Sequence, residues 1–143
     1  MNKLKDLLTF EFDPKKVFIN HSSDYHENFG YQWNKFNKLQ LDSYNGSSES
    51  RDRLLLQSEL NPENFKDKKV LEVGAGNGRF TEILLSFGAQ VVAVDYSSAI
   101  KANYQNNFDS VDCGNLICIQ SDLFDMPVRE KSFDIVMCYG VIQ

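Results

Sequence analysis

The sequence has little of what several function classes require. Three of its 143 residues are cysteine, Cys113, Cys118 and Cys138, and they form no CxxC pair. Cys118 and Cys138 fall in strand-like apolar runs and read as reduced core residues. Histidine occurs twice, at His21 and His26, with no cysteine nearby, so no metal site is expected. The net charge is −5 and no run or face is strongly basic, which speaks against a nucleic-acid footprint. Lys66, Lys68 and Lys69 are interrupted by Asp67 and read as a solvated strand entry. No apolar run approaches the length of a membrane span, and Met1-Asn2-Lys3-Leu4 does not open a secretory signal. The chain therefore reads as cytoplasmic. No repeat or low-complexity tract appears, and no Gly-Lys-Ser/Thr follows a glycine loop, so a phosphate-binding P-loop is excluded.

What is present centres on Lys69–Asp95, KVLEVGAGNGRFTEILLSFGAQVVAVD. Val70–Val73 is a short apolar run interrupted by Glu72. Gly74, Gly76 and Gly78 follow at alternate positions. Phe80, Ile83, Leu84 and Phe87 then recur at i, i+3, i+4 and i+7, one face of a helix, and Gly88 stands where a C-terminal helix glycine belongs. Gln90–Val94 is a second buried-strand run that ends on Asp95. Strand, glycine turn, helix, strand and acid form the first half of a nucleotide-binding α/β fold. Glycines let the chain turn sharply out of the first strand and let a ligand approach the backbone. Asp95, about 20 residues beyond the loop, sits where an acid accepts from ribose hydroxyls.

The nucleoside is narrowed by one residue. A dinucleotide fingerprint needs a small residue five positions after its first glycine, and Arg79 stands there. What remains is an acid followed by GxGxG, Glu72-Val73-Gly74-Ala75-Gly76-Asn77-Gly78.

The flanking segments read less sharply. Leu7–Phe12 suits a short strand or a helix end. Tyr25–Tyr44 is dense in aromatics, with Phe29, Trp33, Phe36 and Gln40 on one side of a helix, for core packing or as a platform for a flat ligand. Ser47-Ser48 starts a helix carrying Leu54–Leu56 and Leu60, which must stop before Pro62, and Phe65 anchors the turn that follows. Beyond Asp95, a serine of Ser97-Ser98 caps a second helix whose buried side is Ile100, Tyr104 and Phe108. Asn115–Gln120 is a third strand, closed by Ser121-Asp122-Leu123. Phe133–Tyr139, FDIVMCY, is a fourth, with the continuous apolar character of a strand buried on both faces.

The acid-GxGxG motif with this context resembles the first motif of class I S-adenosylmethionine-dependent methyltransferases. The likeness runs through Lys69–Gly140, and Phe29-Gly30-Tyr31-Gln32-Trp33-Asn34 resembles the lead-in of a subgroup common among sugar, lipopolysaccharide and natural-product methyltransferases. The resemblance implies a Rossmann-like α/β fold with parallel strands in the order 3-2-1-4, an incomplete form of the family sheet. It divides the chain into an N-terminal extension with helices, residues 1–60, serving as a lid, and a cofactor-binding domain, residues 61–143.

It also implies residue roles for bound S-adenosylmethionine. The backbone of Gly74-Ala75-Gly76 lines the methionine and ribose portion, with Glu72 ordering the loop. Asp95 holds the ribose hydroxyls and Tyr96 lies against the adenine. Asp122 accepts from the adenine amino group beside the Leu123 backbone. A backbone carbonyl at Cys138 or Tyr139 meets the methionine amino group. The reaction implied is methyl transfer to a small-molecule acceptor. No general base can be named from the sequence, and no metal is called for.

Two other readings stay open: a cofactor-binding module without turnover, and a nicotinamide dehydrogenase, which Arg79 disfavours. Because the chain stops at Gln143 soon after the fourth strand, the expectation is an incomplete domain that self-associates through that exposed edge. As Trp33 is the sole tryptophan, cofactor titration should change its emission if Tyr25–Tyr44 closes over the cleft. A flat response in a chain that binds cofactor would favour plain core packing.

Overall fold

A computed structural model describes residues 4–20 and 38–141. His21, His26, Trp33 and most of the aromatic stretch Tyr25–Tyr44 lie outside them. The elements run β1 (Phe18–Ile19), α1 (Asp42–Asn45), α2 (Glu49–Ser58), β2 (Lys69–Val73), α3 (Thr81–Ser86), β3 (Gln90–Asp95), α4 (Ala99–Asn106), α5 (Phe108–Asp112), β4 (Leu116–Gln120) and β5 (Ile135–Cys138). The first to fourth strands expected from sequence are β2, β3, β4 and β5.

All the strands pair in parallel, in the order β1-β4-β3-β2-β5. The order 3-2-1-4 inferred from the resemblance is therefore present, and the fold class is the expected one. One strand was not anticipated. Phe18–Ile19 runs parallel to β4 at the outer edge, matched to Ile119 and Gln120. A two-residue strand is too short to carry a periodicity by which it could be recognised.

The central strands are apolar because both of their faces are covered. One face, with Val70, Val91, Ala93, Leu116 and Cys118, packs against Leu54, Ile83, Leu84, Ile100 and Val111 of the helices. The other, with Leu71, Val73, Val92, Val94, Ile117 and Ile119, is covered by Leu4, Leu7 and Leu8 of the N-terminal segment. That segment is fastened along its length. Leu8 bridges antiparallel to Val128, Thr9 N–H donates to the Pro127 carbonyl, and Asn20 N–H donates to that of Gln120. Phe10, Phe12 and Phe18 form an aromatic cluster with ring centroids 4.5 to 5.9 Å apart. Residues 4–20 thus close the back of the sheet, where the sequence offered only an uninformative stretch.

Three expectations change. Phe108 is 49 % exposed, because α4 ends at Asn106 and the chain restarts as α5; Ile100 is buried as expected, joined by Ala102 and Asn103. β5 is not buried on both faces: its residues alternate between half-buried and exposed, Val136 is 64 % exposed, and Cys138 is exposed. Among the described residues β5 pairs with β2 alone and forms the sheet edge, so one of its flanks and one of its faces lack cover. Cys118 by contrast is buried, and burial pushes its thiol well above its ordinary value.

The start of α2 shows how long-range contacts replace a local cap. Ser48 stands at the N-cap but its side chain does not cap the helix. The Asp42 carboxylate of α1 accepts instead from the Ser50 and Arg51 N–H groups, at 3.0 and 2.9 Å. Burial opposes the charge on Asp42, yet the N–H groups of Arg51 and Ser50 hold its carboxyl below the usual value. Asp42→Ala should therefore destabilise the chain by about 1 kcal/mol at neutral pH in denaturant titration. A lowered carboxyl stabilises above its unfolded value and loses that effect as pH falls through the folded one, so the gap between variant and parent should close in acid. A gap that persists in acid would rule out the charged cap.

Candidate functional site

The C-terminal tips of β2, β3, β4 and β5 open into a cleft of about 860 Å³. Its size lies within the range of small-molecule sites. Of the residues inferred from the resemblance, Gly74, Ala75, Gly76, Asp95, Tyr96, Asp122, Leu123 and Tyr139 all line it. Glu72 does not line it.

The floor is the loop between β2 and α3. Gly74 and Ala75 N–H groups both donate to the Val94 carbonyl, at 2.8 and 3.1 Å, which ties the loop to β3. Those donors are spent on the protein, so the loop offers close backbone approach more than anion capture. Gly76 adopts φ +54°, and a Cβ built there would meet nothing within 4 Å, because the space above it is the cleft. Gly78 is glycine for a different reason. At φ +96°, an added Cβ would lie 2.6 Å from Asn103 Oδ1 and 2.7 Å from Asn107 Nδ2. The loop is pressed against α4 there.

Asp95 is the clasp of the site. Its Oδ2 accepts from Gly76 N–H at 2.7 Å, and its Oδ1 accepts from the Ser97 N–H and hydroxyl at 2.8 and 2.7 Å. The Ser97 hydroxyl in turn accepts from Ala99 N–H at 3.2 Å at the start of α4. Asp122 has a local task too: its Oδ1 accepts from Phe124 N–H at 2.8 Å and caps the single turn Leu123–Asp125. Each carboxylate retains acceptor capacity for a ligand.

Glu72 lies behind the loop, 2 % exposed. The Thr81 hydroxyl donates to Glu72 Oε2 at 2.5 Å and accepts from Asn103 Nδ2 at 2.8 Å. Asn107 Nδ2 donates to Asn103 Oδ1 at 3.0 Å. A buried polar chain therefore runs from β2 through α3 to the end of α4, and Gly78 packs on it. Burial pushes the Glu72 carboxyl up to about 8; the Thr81 hydrogen bond opposes that rise and the Asp95 charge adds to it.

Several lining residues are not among those the resemblance assigns to the site. The sequence pattern marks Ser97 as a helix cap and Arg79 as a mismatch to the dinucleotide fingerprint; both line the cleft. Gln40 and Phe80, expected only on helix faces, also line the cleft, and Phe124, which no local pattern announces, is 94 % exposed at its rim. Among the described residues no cluster of His, Cys, Asp and Glu is arranged to hold a metal ion, and no helix is long and apolar enough to cross a membrane.

Comparison with known proteins bears on this geometry. A family model described as a methyltransferase domain matches residues 71–143, which includes the loop, both carboxylates and β5. The chain belongs to the class I S-adenosylmethionine-dependent methyltransferase family. Phosphoethanolamine N-methyltransferase 1 of Triticum aestivum is 32 % identical over 112 residues, covering 73 % of this chain and 22 % of that protein. A Haemonchus contortus phosphoethanolamine N-methyltransferase 1, solved with phosphoethanolamine and S-adenosylhomocysteine, aligns with TM-score 0.50 at 25 % identity, over 82 % of this chain and 26 % of that one. A Methanococcus maripaludis structure assigned to the S-adenosyl-L-methionine-dependent methyltransferases aligns with TM-score 0.60 at 12 % identity, over 86 % and 54 %, and shows the shared fold. The chain spans about a quarter of the length of the curated relatives it matches. Names of other matched methyltransferases include ribosomal RNA and malonyl-acyl-carrier protein as acceptors, so acceptors differ across the family.

The raised Glu72 carboxyl gives a pH signature. Between the ordinary carboxylate value and about 8 the folded chain holds more protons than the unfolded one, so stability falls as pH rises through that window. Melting temperature should decline from pH 5 to pH 8 and then level. Glu72→Gln retains an acceptor for Thr81 and should flatten the decline. Parallel curves for the two proteins would show that Glu72 is charged in the fold.

Proposed function

We propose that the chain binds S-adenosylmethionine in this cleft and serves methyl transfer to a small-molecule acceptor. The observation that carries the reading is the Asp95–Gly76 clasp at the floor of a ligand-sized cleft, within the matched methyltransferase segment. The cleft fits the cofactor in chemistry as well as size. Open space over Gly76 admits a ligand against the backbone. Asp95 and Asp122 offer acceptors for ribose hydroxyls and an adenine amino group, Tyr96 an aromatic face, and the Tyr139 carbonyl an acceptor for an ammonium group.

Bound S-adenosylmethionine supplies an electrophilic methyl group on a sulfonium. The residues here align it and shield it from water, and alignment is the larger part of such catalysis. A base is needed only where the acceptor must lose a proton first. Two features support a small acceptor. The chain has a net charge of −5 and no basic run, unlike a surface that tracks phosphodiesters. Two of its relatives carry phosphoethanolamine in their names.

Calorimetry with S-adenosylhomocysteine tests the reading directly, with NADH as the control that should not bind. Asp95→Ala should weaken S-adenosylhomocysteine by about 1.5–3 kcal/mol, on the scale of hydrogen bonds to a charged group. Unchanged affinity in a folded variant would sink the ribose role of Asp95.

A further inference from the structure

The loop that carries Asp122 has little apolar support of its own. Residues 121–125 follow β4, and Asp122, Leu123 and Phe124 line the cleft. Phe124 is exposed, and Leu123 and Met126 are only half-buried against the core. A segment with so few buried contacts opens locally unless hydrogen bonds hold it.

The N-terminal segment supplies several of those bonds. β1 runs along β4 and delivers Asn20 to the base of the loop. There the Asn20 side chain joins the two ends of the loop. Its Nδ2 donates to the Asp125 carbonyl at 2.7 Å and to the Ser121 hydroxyl at 3.2 Å, with Asp125 Oδ2 next at 3.4 Å. Ser121 is 1 % exposed, and its N–H donates to the Asp95 carbonyl at 3.0 Å. Its hydroxyl reaches the Asp122 and Asp125 carbonyls at 3.2 and 3.1 Å. Asp122 sits inside the loop that Asn20 closes, with Oδ1 held by Phe124 N–H. The chain beyond the loop is fastened by the same segment, through Thr9 N–H to the Pro127 carbonyl and Arg129 N–H to the Leu7 carbonyl. All the acceptors around Asn20 Nδ2 are oxygens, so the position calls for a donor. Asn20 lies outside the matched methyltransferase segment, residues 71–143.

We propose that Asn20 is a positioning residue for the cleft. By stapling Ser121 to Asp125 it fixes how Asp122 is presented to the ligand, and so sets the preference of the site for adenine over purines without the amino group. This rests on the functional reading above, in which Asp122 accepts from the adenine amino group, but it can fail separately. Asn20 touches no ligand and acts only through the loop.

The test compares S-adenosylhomocysteine with S-inosylhomocysteine, which carries an oxygen in place of the adenine amino group. Calorimetry on the parent chain should show clear preference for S-adenosylhomocysteine. Asn20→Ala removes the donor, and Asn20→Asp keeps the size but sets an acceptor against acceptors. Both should weaken S-adenosylhomocysteine by about fivefold or more and change S-inosylhomocysteine by less than about twofold, so the preference collapses. A purely structural role would weaken both ligands alike and leave their ratio unchanged, and that outcome would overturn the proposal. So would unaltered binding of both, or variants that fail to fold. A parent chain that binds both ligands equally would overturn it while leaving the cofactor reading standing. A parent that binds neither would overturn both.

Discussion

One carboxylate holds the site together. Asp95 ends β3, yet its two oxygens reach across to Gly76 on the neighbouring loop and back to Ser97 at the entry to α4. The contact with Gly76 is possible only because β2 and β3 are parallel and in register, Val73 opposite Val94. Parallel pairing brings the C-terminal tips of successive strands to one end of the sheet, which is why ligands gather there in such folds. The glycine loop, its acid and the start of α4 are thus one unit.

Behind that unit lies a second constraint. Glu72, Thr81, Asn103 and Asn107 join three elements through side-chain hydrogen bonds in a region otherwise apolar. Buried polar groups are costly unless satisfied, and a satisfied chain of them defines one arrangement sharply. Here it sets how α3 and α4 sit behind the loop. Gly78 has no Cβ where these asparagines press, so sequence choice at the loop and at the helix are linked. The raised Glu72 carboxyl is a by-product of placing an acid where water is excluded.

The sheet has two covers of different kinds. Helices pack on one face, and the other is covered by residues 4–20, a segment almost without regular structure. Leu4, Leu7 and Leu8 hide the apolar backs of β2, β3 and β4, and Phe18 completes the contact as β1 at the edge. The energetic reason is plain: strands apolar on both faces leave no stable fold until both are removed from water.

The sequence alone determined β2 to β5, the glycine loop and the acid that faces it. These depend on local patterns: an apolar run, glycines at fixed intervals, an i, i+3, i+4, i+7 face, an acid at a strand end. The strand order came from resemblance, and the pairing bears it out. Tertiary structure alone decided what depends on contacts between distant residues. Asp42 caps a helix it does not belong to, Glu72 sits behind the cleft instead of lining it, Phe108 is exposed, and β5 alternates where its letters suggested full burial. Arg79 is the clearest case. Its letter disfavours one cofactor, but only Ser50, 29 residues away in the chain, holds its guanidinium in place. Periodicity reports which face of an element is apolar; it cannot report which other element will meet that face.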